Sequence, residues 1–379
     1  MKSSFGILSS SCLWIMALMR FAHVGAGSVH HDRSSSKNTQ IVTGFFGSPS
    51  KTARIVVHNA AGQVSWDWSI DKAGNVPAAL RQCAYDTCKA GGCAVPEVKW
   101  ADNGRSVLSV YGYAAIIINH HPGLETDKRI SFGVCTNRDD MDNSHTVELL
   151  PDGKVAVGTT TSAATGNIKI FNRFGPQNPL AAPIQQLHGI PGVHAVLWDA
   201  RRGVLWAAGN DISPLSKASR SILNAYAYKN GLLSAKPQTW VIASATHLTT
   251  EWSSNTPWWD GAHAMVPIPG QDKLLITTDL DVHLYDMHTQ KFEHGAPVAQ
   301  KYLAGFQPLG KRVGPDGVSL PRSDIKSLSI LDNGDTLYVQ AVWGQTYGEK
   351  VNILADKKMQ GSLWNQVLYR SRWFADTAW

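Results

Sequence analysis

Three histidines and a lysine recur at one place in a repeated pattern: His145, His194, His263 and Lys326. Each stands just before a short apolar run that leads through a turn into a second apolar run. Three neutral imidazoles brought together would suit a divalent metal such as Mn, Zn or Ca, with His145, His194 and His263 as ligands. Histidine and lysine together would instead cradle an anion such as a carboxylate. Either version serves proton abstraction beside a carboxylate. A metal or Lys326 neutralises that carboxylate, His194 or His263 takes the proton, and His145 orients or ligates. The plain structural alternative is that these side chains cap inner strands and hydrogen-bond across a channel.

The elements that must position them are read from the repeat. Its clearest copy is His194-Ala-Val-Leu-Trp-Asp-Ala-Arg-Arg-Gly-Val-Leu-Trp-Ala-Ala-Gly, which reads as strand, tight turn, strand. Other copies start near Ser144, Ala262 and Ile325, and a weaker one starts at Pro96. Aligned on the turn, the leading residues are Pro96, His145, His194, His263 and Lys326, spaced by 49, 49, 69 and 63 residues. Strand repeats of 40 to 50 residues are the mark of propeller blades, about four strands each. Asn103-Gly104, Asp152-Gly153 and Asn333-Gly334 supply the positive φ of tight hairpins. Equivalent positions in blades lie at equivalent radii, so the four leading side chains are expected to meet at one mouth of a central channel.

The remaining features bound the reading. Residues 1–26 read as a signal peptide, with Lys2 before an apolar run from Phe5 to Leu18 that is too short to span a membrane. Residues 27–40 form a flexible lead-in, and 41–379 a single all-β domain. Removing 26 of 379 residues leaves 353, which at 49 per blade predicts a seven-bladed β-propeller, within a range of six to eight. The last strand, within Gln366–Phe374, closes the ring with the first. Trp66 and Trp68 share one face of an alternating strand and are expected to pack between blades.

Cys83, Cys88, Cys93 and Cys135 are an even set suited to two disulfides, with three pairings open, as expected of a secreted protein. The formal charge of +6 is compatible with an acidic polysaccharide partner. No long basic run points to nucleic acid, nothing points to a membrane, and a monomer is expected. Two long insertions precede His263 and Lys326. They bring Trp252, Trp258, Trp259 and Arg322 over the same mouth as candidate substrate-binding residues.

The order of motifs resembles a family of secreted bacterial and fungal propellers of unassigned function. The matching stretches are Trp66-Asp-Trp-Ser, Ser144-His-Thr-Val-Glu-Leu-Leu-Pro-Asp-Gly, His194-Ala-Val-Leu-Trp-Asp, Gly261-Ala-His-Ala-Met and Ile325-Lys-Ser-Leu-Ser. More distantly, the chain looks like the propeller polysaccharide lyases, whose channel mouths are rich in histidine. That likeness implies β-elimination on uronate-containing glycans. A non-catalytic glycan-binding propeller and a protein-interaction platform are the alternatives, since propellers host all three.

Overall fold

The structure is a computed structural model. It describes residues 39–48, 52–86, 93–137, 141–163, 167–216, 218–243, 260–309, 322, 324–342 and 346–374. Short strands joined by tight turns build six antiparallel sheets. The first contains β1 (Ile41–Phe45), β2 (Arg54–His58) and β3 (Val64–Trp68). The second is β4 (Glu97–Ala101), β5 (Ser106–Tyr111), β6 (Ala114–Asn119) and β7 (Ile130–Cys135). The third is β8 (Ser144–Leu150), β9 (Lys154–Thr159), β10 (Ile168–Asn172) and β11 (Gln185–Leu187). In the fourth, β12 (Ala195–Asp199), β13 (Val204–Asn210) and β14 (Ser221–Lys229) are followed by β15 (Leu232–Leu233) and β16 (Gln238–Ala243), both paired to β14. The fifth is β17 (Ala262–Pro267), β18 (Lys273–Thr278), β19 (Val282–Asp286) and β20 (Lys291–His294). The sixth is β21 (Ile325–Ile330), β22 (Thr336–Gln340), β23 (Val351–Ala355) and β24 (Lys358–Leu363). Finally β25 (Leu368–Trp373) pairs with β1 and completes the first sheet as its innermost strand.

The inner strands touch in a closed cycle: β4 on β8, β8 on β12, β12 on β17, β17 on β21, β21 on β25, and β25 on β4. The apolar core follows the same count. One buried cluster fills each junction between neighbouring sheets, from Trp68, Val98 and Tyr111 between the first and second to Phe45, Leu337 and Val351 between the sixth and first. The fold is therefore a six-bladed β-propeller, not the seven-bladed one expected. The expected number comes from dividing by 49, the spacing of blades without insertions. The stretches between β14 and β17, and between β20 and β21, lengthen the spacing, and among the described residues they add no sheet.

The tight turns carry the expected backbone. Asn103 and Gly104 have φ of 54° and 77°, and Gly153 has 64°. Trp66 and Trp68 are buried in the first junction. Their indole N–H groups donate to the Asp127 carboxylate and the Lys128 carbonyl of the second blade.

The helix α1 (Ala78–Asp86) is tied to β7 by a disulfide between Cys83 and Cys135. Cys93 is also disulfide-bonded, while Cys88 lies outside the described residues. The Cys83–Cys135 bond spans 52 residues. By loop-closure entropy such a link is worth about 4 kcal/mol. The double replacement Cys83→Ser with Cys135→Ser is expected to lower unfolding stability by about 3–4 kcal/mol in guanidinium titration. A loss below about 1 kcal/mol would show that the bond constrains nothing the fold needs. The second helix is α2 (Ala296–Tyr302), beside β19 and β20. No helix among the described residues is long and apolar enough to cross a membrane. Residues 1–38, which include the expected signal peptide, lie outside the description.

Candidate functional site

The ring residues owe their position to irregular pairing at one end of the inner strands. In β8 the register shifts between Ser144 and Thr146, in β17 between Ala262 and Ala264, and in β21 between Ile325 and Ser327. His145, His263 and Lys326 are the extra residues in these bulges. A bulge re-aims a side chain that strict alternation would turn away. His194 immediately precedes β12. In β25 the partners step from Leu368↔Phe45 to Ser371↔Thr43, so Tyr369 and Arg370 together face Gly44. The sixth ring position is therefore Tyr369.

These side chains meet at one mouth of the channel. The His145 and His194 rings stand 5.1 Å apart edge to face, and the His194 and His263 rings 4.8 Å. The Lys326 Nζ lies 2.9 Å from His263 Nε2, and the Tyr369 hydroxyl 3.1 Å from His263 Nδ1. Tyr369 also packs its edge on His145, with ring centroids 5.6 Å apart.

The ring divides into a buried half and an open half. His263, Lys326 and Tyr369 are buried, whereas His145 and His194 are only half-buried. In the buried half, Asp279 Oδ1 lies 2.5 Å from His263 Nε2. Burial opposes the charge on Asp279, but His263 and Lys326 outweigh it and hold its pKa down to about 2. An ionised carboxylate can only accept, so His263 carries its proton on Nε2 and its Nδ1 accepts from Tyr369. Burial, with Lys326 adding to it, keeps His263 below the ordinary histidine pKa despite Asp279. Burial works against the Lys326 ammonium too, yet Asp324 at 3.4 Å and Asp279 at 3.7 Å raise its pKa.

This arrangement bears on the metal expectation. His145, His194 and His263 do not close on one point as a ligand set, because both nitrogens of His263 are engaged. Among the described residues, the three groups within reach of one ion are His263, Asp279 and Asp324. The Lys326 ammonium stands among them as the cation. Lys326, expected as the group that neutralises an incoming carboxylate, is paired with Asp324 and Asp279.

In the open half, His145 Nδ1 lies 3.1 Å from the Asn143 carbonyl, and His194 Nδ1 lies 3.0 Å from the Gly192 carbonyl. A carbonyl accepts, so each Nδ1 is the N–H nitrogen and each Nε2 holds a lone pair. Neither Nε2 has a hydrogen-bond partner among the described residues. Burial lowers the pKa of His145 to about 4 and drives that of His194 well below its ordinary value, with His263 adding to the effect on His194. Both rings are neutral at pH 7. A neutral imidazole with its Nδ1–H fixed by a backbone carbonyl is the form that accepts a proton or ligates a metal.

Arg370 is the strut beneath the ring. It is fully buried, and its guanidinium donates to the carbonyls of Lys326, of His194 at 2.9 Å and of His263 at 2.5 Å. One side chain thus binds the backbone of three other blades at the ring positions. Deeper in the channel lies Glu97. Burial opposes its charge, but Arg372 at 3.1 Å, Lys99 and Arg370 hold its pKa below the usual range.

The other expected site residues fall elsewhere. Arg322 is paired with Asp281 at 2.8 Å and with no ring residue in the described contacts. Trp252, Trp258 and Trp259 lie outside the described residues. Tyr369, Arg370, Asp279 and Asp324 are additions that the repeat pattern does not reveal. For the first two a signal exists, since the closing strand has to supply a ring position.

No family model matches the chain, and no curated protein matches it. Among solved structures it is similar to a hypothetical selenium-binding protein from Sulfolobus tokodaii, with 10% identity over 90% of this chain and 94% of that one and a TM-score of 0.46. It is also similar to a functionally unknown protein from Desulfotomaculum acetoxidans, with 10% identity, 86% and 83% coverage and a TM-score of 0.45. A third likeness is to the AfRom2 CNH domain, with 10% identity, 73% and 86% coverage and a TM-score of 0.40. Likeness at this level carries no argument about chemistry, and the site stands on its own geometry.

The neutral buried histidines set an acid limit on the fold. His58 and His283, like His145, have pKa values lowered to about 4, chiefly by burial. Between pH 6.5 and 4 the unfolded chain protonates these groups and the folded chain does not. The unfolded state then binds more protons, so stability falls as pH drops through that window. Each pKa unit is worth about 1.4 kcal/mol, which gives roughly 3 kcal/mol for His58 or His283 at the foot of the window. Urea unfolding is expected to give a clearly lower midpoint at about pH 4.5 than at about pH 7.5. An unchanged midpoint would mean that these rings are not buried neutral.

Proposed function

We propose that the protein is a secreted carbohydrate-active enzyme, a polysaccharide lyase that cleaves uronate-containing glycan by β-elimination at the ring. The observation that carries this reading is the pair of open Nε2 lone pairs on His145 and His194, held side by side by backbone carbonyls. His194 is the base. Its Nε2 takes the C5 proton of a uronate, the C4–O4 bond breaks, a C4=C5 double bond forms, and the same proton passes to the departing O4. The C5 proton is acidic enough only when the neighbouring carboxylate is neutralised. His145 supplies that neutralisation, because a carboxylate docked within a few ångströms raises an imidazole pKa and draws a proton onto it. His263, Asp279, Lys326 and Tyr369 are positioning residues behind this pair. The Cys83–Cys135 disulfide is compatible with secretion, because such bonds persist in oxidising compartments.

A non-catalytic glycan-binding propeller is the second reading. It is favoured by the enclosure of His263 and Lys326 in their own network, where they serve the fold. Absorbance near the unsaturated-uronate band separates the two, using purified protein, a panel of acidic glycans, and parallel runs with chelator. A rising signal that chelator leaves intact supports His145 as the neutralising group. A signal abolished by chelator assigns that task to a divalent cation on the two open nitrogens. A flat signal across the panel removes the lyase and leaves the binding module.

A further inference from the structure

A large cavity lies away from the ring. It lies at the opposite mouth of the channel, where the inner strands end rather than begin, and encloses about 560 Å³. That is within the range of small-molecule sites. Its apolar wall includes Trp100, Trp198, Met265 and Pro267, with both indoles half-buried. Its charged wall is made by Lys99, Asp102, Glu148, Arg201, Asp332 and Arg372.

The pairing of these charges decides what kind of ligand fits. Lys99 is bonded to Glu148 at 3.2 Å, Arg372 to Glu97 at 3.1 Å and Asp102 to Arg173 at 2.8 Å, and Arg201 is paired with Asp272. Of the six charged side chains, only Asp332, exposed at the rim, lacks an ion pair in the described contacts. Compensated pairs give little net field, so the cavity does not select an ionic ligand. They also penalise a wholly apolar one, which would strip water from carboxylates and guanidinium groups without replacing its hydrogen bonds. A ligand with one apolar face and a rim of hydroxyls meets both walls. The aromatic wall stacks on the face, and the paired carboxylates and guanidinium groups take the hydroxyls.

We infer that this cavity is a second binding site, for a neutral pyranose sugar, separate from the ring and independent of any reaction there. Glu148 and Arg372 are the hydrogen-bonding residues and Trp198 is a stacking wall. Titration calorimetry of the full chain with D-glucose, D-galactose, N-acetyl-D-glucosamine and D-glucuronate tests it. Saturable millimolar binding of at least one neutral sugar is expected, weakened at least tenfold in Trp198→Ala and in Gln271→Trp. The second variant occludes the rim from an exposed position and leaves the wall intact, so it reports even where the first fails to fold. His194→Ala is expected to leave this binding unchanged, which separates it from the ring. Binding lost in His194→Ala, binding of glucuronate alone, or no saturable binding of any neutral sugar would each overturn the inference.

Discussion

Replacing Arg370 with methionine is expected to lower unfolding stability by about 5 kcal/mol, and the estimate rests on stranded hydrogen-bond acceptors. Methionine fills most of the stem volume, so lost packing is the smaller part. The larger part is the set of carbonyls left behind, those of His194, His263 and Lys326, each from a different blade. A buried acceptor without a partner costs about 1–3 kcal/mol. Buried ion pairs can often be exchanged for apolar groups without penalty. That exception does not apply here, because the acceptors are backbone and cannot be removed with the guanidinium. Glu97 also loses one of three cations that keep it charged. Arg370→Lys is expected to recover part of the loss, since an ammonium lacks the planar fork that reaches several carbonyls at once. Guanidinium unfolding of both variants measures this. A methionine variant within about 1 kcal/mol of the parent would show that the carbonyls find other partners.

The second large effect concerns chemistry rather than stability. His194→Ala is expected to lower elimination activity by about 10²–10⁴-fold, the usual contribution of a positioned base. His194 is half-buried and does not hold the ring together by side-chain hydrogen bonds to other blades, since its Nδ1 bonds only Gly192, two residues away. The melting temperature is therefore expected to change little. His145→Ala is expected to lower kcat as well, because the C5 proton is acidic only when the carboxylate is neutralised, and also to raise KM, because the same ring meets the carboxylate in the bound substrate. A KM that rises in His194→Ala but not in His145→Ala would contradict this division of labour. The pH profile is a second check. Burial and His263 hold the His194 pKa well below its ordinary value, so its base form persists to lower pH. The acid limb of kcat/KM is expected to lie below the ordinary histidine value of about 6.5.

The parts legible in the sequence share a physical cause. His145, His194, His263 and Lys326 stand out because a hairpin turn follows each of their strands, and turn chemistry is local. Tyr369 and Arg370 do not, because β25 pairs with no following strand among the described residues. Its partner β1 lies at the other end of the chain, so the blade is completed by distant pairing. Asp279 and Asp324 are missed for a different reason, since both lie close to their partners in the chain or the hairpin. Asp279 follows β18, and the β17–β18 hairpin, with Ala262 opposite Thr278, sets it beside His263, whose side chain is turned onto it by a bulge that the sequence pattern does not show. Asp324 is only two residues before Lys326, but the other copies carry Asn143, Gly192 and Gly261 at that position, so the repeat does not mark it as a partner. The blade count is overestimated because the long stretches before His263 and Lys326 lengthen the spacing, while the described residues form six sheets. The cavity at the far mouth is also out of reach of a linear reading, because its walls come from the ends of all six inner strands.

The most direct test is proton NMR of a uronate oligosaccharide incubated with the purified protein and, in parallel, with His194→Ala. The account predicts a new olefinic H4 signal from the C4=C5 bond with the parent protein and essentially none with the variant. An unchanged spectrum, new reducing ends without an olefinic signal, or equal olefin formation by both proteins would contradict it.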